Sequence, residues 1–380
     1  MANVEHDPIE KKLELKHTSN PDASSGPSLR KVLGVTDGIA IVIGICIGGG
    51  IYKTPQEIAG YLSSFNTIIL LWLLAGVFVF ISGLIYAELG TRMPQTGGEY
   101  VYISRCFGPF AGFIFGWGQL FIVRTSASAG LALIVAYYLG CFIPLEAISQ
   151  KISTLSIADY LGYIMPLEES ALMITALVVI LLFGVLNYIG IQRASFYQKI
   201  STVLKVFGLL FIVFVGIFFS QGVENMLSTR AAPAPKTDLG PLGNIIAAVF
   251  LIIFAHTGWE RIGYSAGEMK NPRRVIPLSL VIGISIVVIL YALTNTVYHR
   301  TLGMEGVRQT ETVASDALTV LIGPIGAAVI AALAIISTSG SINGTMMTAP
   351  RVYYAMAKDR LFFKWLDYIH PRFRTPSRAI

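Results

Sequence analysis

The sequence predicts an all-α integral membrane protein with at least eight spanning helices. Three observations predict it. Of the 380 residues, 54% are hydrophobic and 13% charged, about half the charged share of an ordinary soluble domain. The mean hydropathy is +0.67. The charges also avoid long stretches: Thr67 to Ala87 and Ala171 to Ile191 contain none, and about 20 apolar residues match a hydrocarbon core of ~30 Å.

Residues 1–31 are expected to form a flexible cytoplasmic tail and residues 32–380 the membrane domain. Met1 to Ser28 mixes Glu, Lys, Asp, Ser and Pro without periodicity, the composition of a flexible segment. No apolar central region follows its first basic residues, so it does not read as a cleavable signal peptide. The spans are predicted at Val35–Thr54, Thr67–Thr91, Phe107–Phe142, Ala171–Ile191, Phe196–Ser220, Leu242–Gly267, Ile276–His299 and Ala317–Ala357. The third and the last exceed one straight span at ~1.5 Å per residue. The third is expected to tilt strongly, and the last to carry a cytoplasmic extension or a break. Gln221 to Pro241, with its Pro, Ala and Thr, reads as a loop.

Orientation follows from Lys and Arg. With the N-terminus inside, twenty of them fall on inner segments and six on outer ones, a positive-inside bias. This predicts a multi-pass cell-membrane protein in contact with the lipid bilayer. The net charge of +6 gathers in loops flanking the spans, which points to topology rather than to nucleic-acid binding. Cys46, Cys106 and Cys141 are far apart and form no CxxC, so neither a disulfide framework nor a structural metal is expected. No cofactor is expected. The five histidines and few intramembrane acids form no nucleophile–base pair or metal-ligand spacing, which argues against an enzyme.

The first chemically informative segment is Gly44-Ile-Cys-Ile-Gly-Gly-Gly-Ile-Tyr-Lys-Thr-Pro55. Gly48, Gly49 and Gly50 lie in mid-span, where each weakens a helix by about 1 kcal/mol relative to Ala. Two readings are open. In one the helix breaks and its freed amides face an anion, favourably a carboxylate. In the other the small residues let helices pack closely. The second segment, Phe254-Ala-His-Thr-Gly-Trp-Glu260, places polar groups at a depth where they are costly. Interrupted helices at matching positions of two halves point to a transporter site at an inverted-repeat interface. Amides at one break and carbonyls at the other suit an α-amino acid zwitterion.

For several side chains a structural and a functional reading stand together. His256 is a hydrogen-bonded buried group or a site residue. Trp259 is an aromatic lid or a packing anchor. Glu260 pairs with Arg261 beside the inner vestibule or carries a proton. Lys205, nine residues into its predicted helix, is a snorkelling lysine or an ammonium held in a cation site, with Ser337 and Thr338 as oxygen partners. Arg124 serves a structural pair or the substrate.

Four motifs together resemble the amino acid–polyamine–organocation superfamily, and within it the bacterial relatives of the L-type amino acid transporters. They are Ile47-Gly-Gly-Gly-Ile-Tyr52; Tyr86-Ala-Glu-Leu-Gly-Thr-Arg-Met-Pro-Gln-Thr-Gly-Gly-Glu-Tyr100; Phe254–Trp259 with Glu268-Met-Lys-Asn-Pro272; and Gly340-Ser-Ile-Asn-Gly344 with Arg351. The resemblance runs from about Val32 to Ile380. It implies two five-helix inverted repeats with discontinuous first and sixth helices, repeat one over about 35–220 and repeat two from about 242. It implies sodium-independent movement of amino acids, often as obligatory exchange. Ile45, Cys46, Gly48, Gly49 and Gly50 would hold the substrate carboxylate and backbone. Phe254, Ala255 and Thr257 would hold the amino group, with Phe254 as the gating aromatic. Lys205 would occupy the place of a sodium ion, with Ser337 beside it.

The chain departs from the family in four respects. Gly-Gly-Gly replaces the usual Gly-Ser-Gly, and Lys53 adds a charge beside the first break. Human members pair with a glycoprotein through a cysteine that Cys141 matches poorly, so a disulfide-linked partner is not expected. The family has twelve helices, and Thr375 to Ile380 reads as the entrance to a ninth, so the second repeat is expected to be incomplete. The leading reading is an exchanger; a non-transporting amino acid sensor and a proton-coupled symporter are the alternatives.

Overall fold

The computed structural model describes residues 28–154, 166–219 and 239–380. Most of the predicted tail and of the loop from Gln221 to Pro241 lies outside the described residues, including Arg230 and Lys236. The structure is built from α-helices. Among the described residues seven helical segments are long and apolar enough to cross a membrane, and the bent pair α1 (Val35–Cys46) and α2 (Gly50–Tyr61), which meet at 41°, makes an eighth span. The chain is a multi-pass membrane protein.

After the bent pair come α3 (Phe65–Arg92) and the short α4 (Glu99–Phe107). A third span follows as α5 (Pro109–Gly118), a π-helical turn at Gln119–Arg124 and α6 (Thr125–Leu139). Beyond α7 (Leu145–Ser153) run the spans α8 (Ser170–Ile189), α9 (Ile191–Phe219) and α10 (Gly240–Ala255), the last continued by a 3₁₀ segment at Trp259–Glu268. The last α-helices are α11 (Pro272–Gln309), α12 (Val313–Ile322) and α13 (Ile325–Lys358), followed by a 3₁₀ turn at Lys364–Asp367. α11 packs on α3 and α1, and α13 on α9 and α6. These two helices are the centre of the bundle. The most apolar windows of α11 and α13 are 50% and 56% buried, against 22% for α8. The sequence of α13 explains its position: Ser337-Thr-Ser-Gly-Ser-Ile-Asn-Gly344 is a run of small residues that admits neighbouring backbones closely.

Several predicted boundaries shift. The first helix does not stop at Thr54 but resumes at Gly50 and runs to Tyr61 with Pro55 inside it; a proline that early in a helix removes a single backbone bond. The predicted third span begins after a separate helix, because Gly108 turns the chain at φ +91°. The seventh extends past His299 to Gln309 through a non-helical Gly303. The eighth is interrupted at Gly323-Pro324. α9 starts at Ile191, so Lys205 lies about 21 Å along it rather than ~14 Å. That depth, with 1% exposure, removes the snorkelling reading.

Candidate functional site

Ile47, Gly48 and Gly49 separate α1 from α2. A helix end leaves four carbonyls without intrahelical partners, and at the end of α1 those of Gly44, Cys46 and Ile47 are taken up by side chains. Ile43 O accepts from the Ile47 amide. Tyr291 OH donates to Cys46 O at 2.7 Å. Lys205 Nζ donates to Gly44 O and, at 2.8 Å, to Ile47 O. Ser337 Oγ donates to Ile47 O at 2.9 Å, and Ser341 Oγ lies 3.3 Å from Nζ and 3.2 Å from Gly44 O. An ammonium at the negative end of a helix dipole is favourably placed, so Lys205 serves as a buried cationic cap of α1. Ser341 was missed in the sequence. It shares a face with Ser337 because residues four apart stack on a helix. Thr338, expected with Ser337 as an oxygen partner of Lys205, is turned about a quarter of the way round α13 and makes no hydrogen bond to it. A second cation caps the far end of the broken span: Arg308 Nε donates to Ala59 O at 2.8 Å.

The other side of the break is the N-terminus of α2. Among the described residues no acceptor pairs with the amides of Gly49, Gly50 and Ile51. Gly49 lines a cavity of about 740 Å³. The cavity also reaches Tyr52, Ile134, Ala334 and Thr338, and extends to the exposed Lys53, Glu169 and Glu311.

The second break crosses the first. α10 ends at Ala255, and Gly258, at φ +121°, turns the chain into the 3₁₀ segment. A Cβ at Gly258 would stand 2.8 Å from Ile45 Cγ2 and 3.1 Å from the Ile45 carbonyl carbon. The place of a Cβ on Gly50 lies 3.6 Å from Ala255 Cα. Among the described residues the carbonyls of Ala255 and Thr257 accept no hydrogen bond. Unpaired amides at one break and unpaired carbonyls at the other therefore lie in backbone segments that pack together.

The remaining site candidates are placed as follows. Ile45 and Cys46 are buried against the second break, with Cys46 Sγ 3.5 Å from His256 O. His256 is buried, holds Ile252 O through Nδ1 at 2.8 Å, and sits between the Trp72 and Tyr291 rings. Trp259 stacks edge-on against Tyr86 and packs into the core, the geometry of an anchor. Phe254 departs from the expected gate: it is 70% exposed and does not line the cavity, because its position on α10 faces away from α2. Thr257 is exposed, and its hydroxyl closes back on Phe254 O at 2.8 Å.

Arg124 and Glu260 belong to one buried charge cluster on the side of the breaks away from Lys53. Glu260 accepts from the Gly258 amide at 2.7 Å and lies 3.5 Å from Arg261 and 3.9 Å from Arg124. Arg124 donates to Tyr264 OH at 3.2 Å, and Tyr264 donates to Glu99 at 2.5 Å. The π-helical turn sets Arg124 facing inward; such turns recur at functional sites. Deeper in the same direction Arg351 and Glu268, both buried, form a bidentate pair at 2.8 and 3.0 Å. Tyr264 and Glu99 were not legible as partners of Arg124, since 140 residues separate Arg124 from Tyr264 in the chain. Among the described residues no group of His, Cys, Asp and Glu is arranged to hold a metal.

Comparison with known proteins fits this geometry. The solved structure of MhsT in complex with L-phenylalanine superposes with a TM-score of 0.61 at 13% identity, over 93% of this chain and 77% of that one. With the two crossed breaks, this likeness shows the inverted-repeat transporter fold. The serine/threonine exchanger SteT of Bacillus subtilis is 31% identical over 355 residues, covering 93% of this chain and 74% of that protein. The b(0,+)-type amino acid transporter 1 of Mus musculus is 28% identical over 365 residues, 93% of this chain and 68% of that one. The human cystine/glutamate transporter is 28% identical over 371 residues, 95% and 68%. A family described as amino acid permeases is matched from residue 33 to residue 380, nearly the whole of the membrane domain, and the chain belongs to that family.

Proposed function

We propose that the chain carries amino acids across the membrane by alternating access, as a sodium-independent exchanger. One observation carries the reading: the amides of Gly49, Gly50 and Ile51 are free at a break whose Gly49 lines the cavity, and the second break, with the free carbonyls of Ala255 and Thr257, packs against it, the place of a Gly50 Cβ lying 3.6 Å from Ala255 Cα. A carboxylate is favoured at the first set and an ammonium at the second. Ile45, Cys46, Gly48 and Trp259 shape the backbone of this site, and Lys205 with Ser337 holds the broken end of α1. Sodium independence is supported by Lys205, whose ammonium already fills the carbonyl cage that a cation would otherwise occupy.

The open cavity lies toward Lys53, and the Arg124, Glu260 and Glu268–Arg351 ion pairs lie on the opposite side. With the N-terminus cytoplasmic, as the Lys and Arg distribution favours, this is a state open to the outside and closed to the cytoplasm. The reading requires no cofactor and no disulfide-linked partner.

Counterflow in proteoliposomes tests it. Vesicles preloaded with unlabelled amino acids should take up labelled ones without a sodium gradient, and only when internal substrate is present. Uptake that needs sodium, or proceeds equally from empty vesicles, would refute the exchanger. Binding without any flux would favour a sensor.

A further inference from the structure

Hydroxyl side chains recur along the buried part of α13, and all but one have a partner. Thr345 and Thr348 return their hydroxyls to the carbonyls four residues back, at 2.9 and 2.8 Å. Ser339 meets Tyr197 OH at 2.7 Å. Ser337 and Ser341 hold the carbonyls of α1. Thr338 is fully buried and its Oγ1 has no partner among the described residues. A buried hydroxyl without a hydrogen bond costs about 1–3 kcal/mol. A bond to the carbonyl four residues back, the solution its neighbours use, is not made.

Thr338 lines the cavity, together with Gly49, Ile134 and Ala334. Apolar groups share this part of the lining. Ile134 Cδ1 lies 3.4 Å from where a Gly49 Cβ would be, and Ala334 is one turn before Thr338 on the same helix. Gly49, whose free amide belongs to the carboxylate set proposed above, and Thr338 line the same cavity.

We propose that Thr338 is a specificity-determining residue, and that its hydroxyl reads a hydroxyl group on the side chain of a small neutral amino acid. The assignment rests on the permease reading above and deepens it by naming the substrate class. Its logic is that a site built to hydrogen-bond a substrate hydroxyl rejects the analogue that lacks it, because the site's own polar group is then left unpaired.

The experiment is competition in the proteoliposome counterflow assay, using the full chain and labelled L-serine. Unlabelled L-serine and L-alanine differ by the hydroxyl alone. The wild type should be inhibited about tenfold more strongly by serine than by alanine. Thr338→Val, of the same shape, and Thr338→Ala, in case valine perturbs folding, should bring the two potencies together. Thr338→Ser should keep them apart. A serine preference that persists in both the valine and the alanine variant overturns the assignment while leaving the permease reading intact. So does a wild type that transports without distinguishing the two. A wild-type chain that is inserted and folded yet takes up no amino acid overturns both.

Discussion

Arg351 and Glu268, 83 residues apart in the chain, meet through two parallel hydrogen bonds, Nε to Oε2 at 2.8 Å and Nη2 to Oε1 at 3.0 Å. Both are buried to 1% exposure or less. The backbone of Glu268 is occupied as well, since its carbonyl accepts from the amides of Val32 and Leu33 at 2.8 and 2.9 Å. One residue therefore ties α13, the end of the 3₁₀ segment and the chain entering α1 at the closed side of the protein.

Arg351→Ala should destabilise the chain by about 3–5 kcal/mol, because it strands a buried carboxylate. Thermal unfolding in detergent reads this. Arg351→Lys should recover only part of the loss, since an ammonium cannot reproduce the two-pronged contact. Equal stability of the lysine variant and the wild type would show that the paired geometry is not what matters.

Lys205→Ala removes the cap from α1 and exposes the carbonyls of Gly44 and Ile47 to an empty cage. Counterflow should fall at least about tenfold, in line with the ~1.5–3 kcal/mol worth of a charged hydrogen bond, while the chain remains monodisperse. If sodium restored uptake in this variant, the lysine would be standing in for that ion. Wild-type rates in a folded Lys205→Ala chain would remove Lys205 from the mechanism.

Gly258→Ala places a Cβ 2.8 Å from Ile45 Cγ2 on a backbone at φ +121°. The conformation alone costs of order 1–3 kcal/mol for a residue with a side chain, and the contact pushes the two breaks apart. Uptake should be lost, with a lower melting temperature. Gly60→Ala, where a Cβ meets nothing within 4 Å, serves as the control. Comparable behaviour of the two variants would count against contact between the breaks.

Glu99 lies on α4, outside the spans. Burial, and then the negative Glu260, hold its carboxyl above the ordinary carboxylate range, against the lowering effect of the Tyr264 hydrogen bond and the charges of Arg124 and Arg261. A raised value means that this closed conformation favours the protonated form. The advantage is present at low pH and is lost as pH rises through the raised value. Exchange limited by opening of this side should therefore quicken as the pH facing it rises above the usual carboxylate range. Glu99→Gln, a permanent mimic of the protonated form, should flatten that profile. An unchanged profile in Glu99→Gln would assign the pH dependence to another group.

The sequence by itself determined the class of the protein. Apolar runs of span length, the Lys and Arg asymmetry and two interrupted helices follow from the cost of charge and of unpaired backbone in hydrocarbon, and that cost acts locally along the chain. It also marked Lys205 and Arg124 as residues needing partners, because a charge at that depth is expensive wherever it points. The tertiary structure decided which partners they have. Lys205 found Ser341 as well as Ser337, Arg124 found Tyr264 and Glu260, and Thr338 was left facing the cavity without a partner. Phe254, read as a gate from its motif, lies on the exposed face of α10. The physical reason is rotational: one helical residue corresponds to about 100° of turn, and only packing against other helices fixes which face of α10 or α13 looks inward.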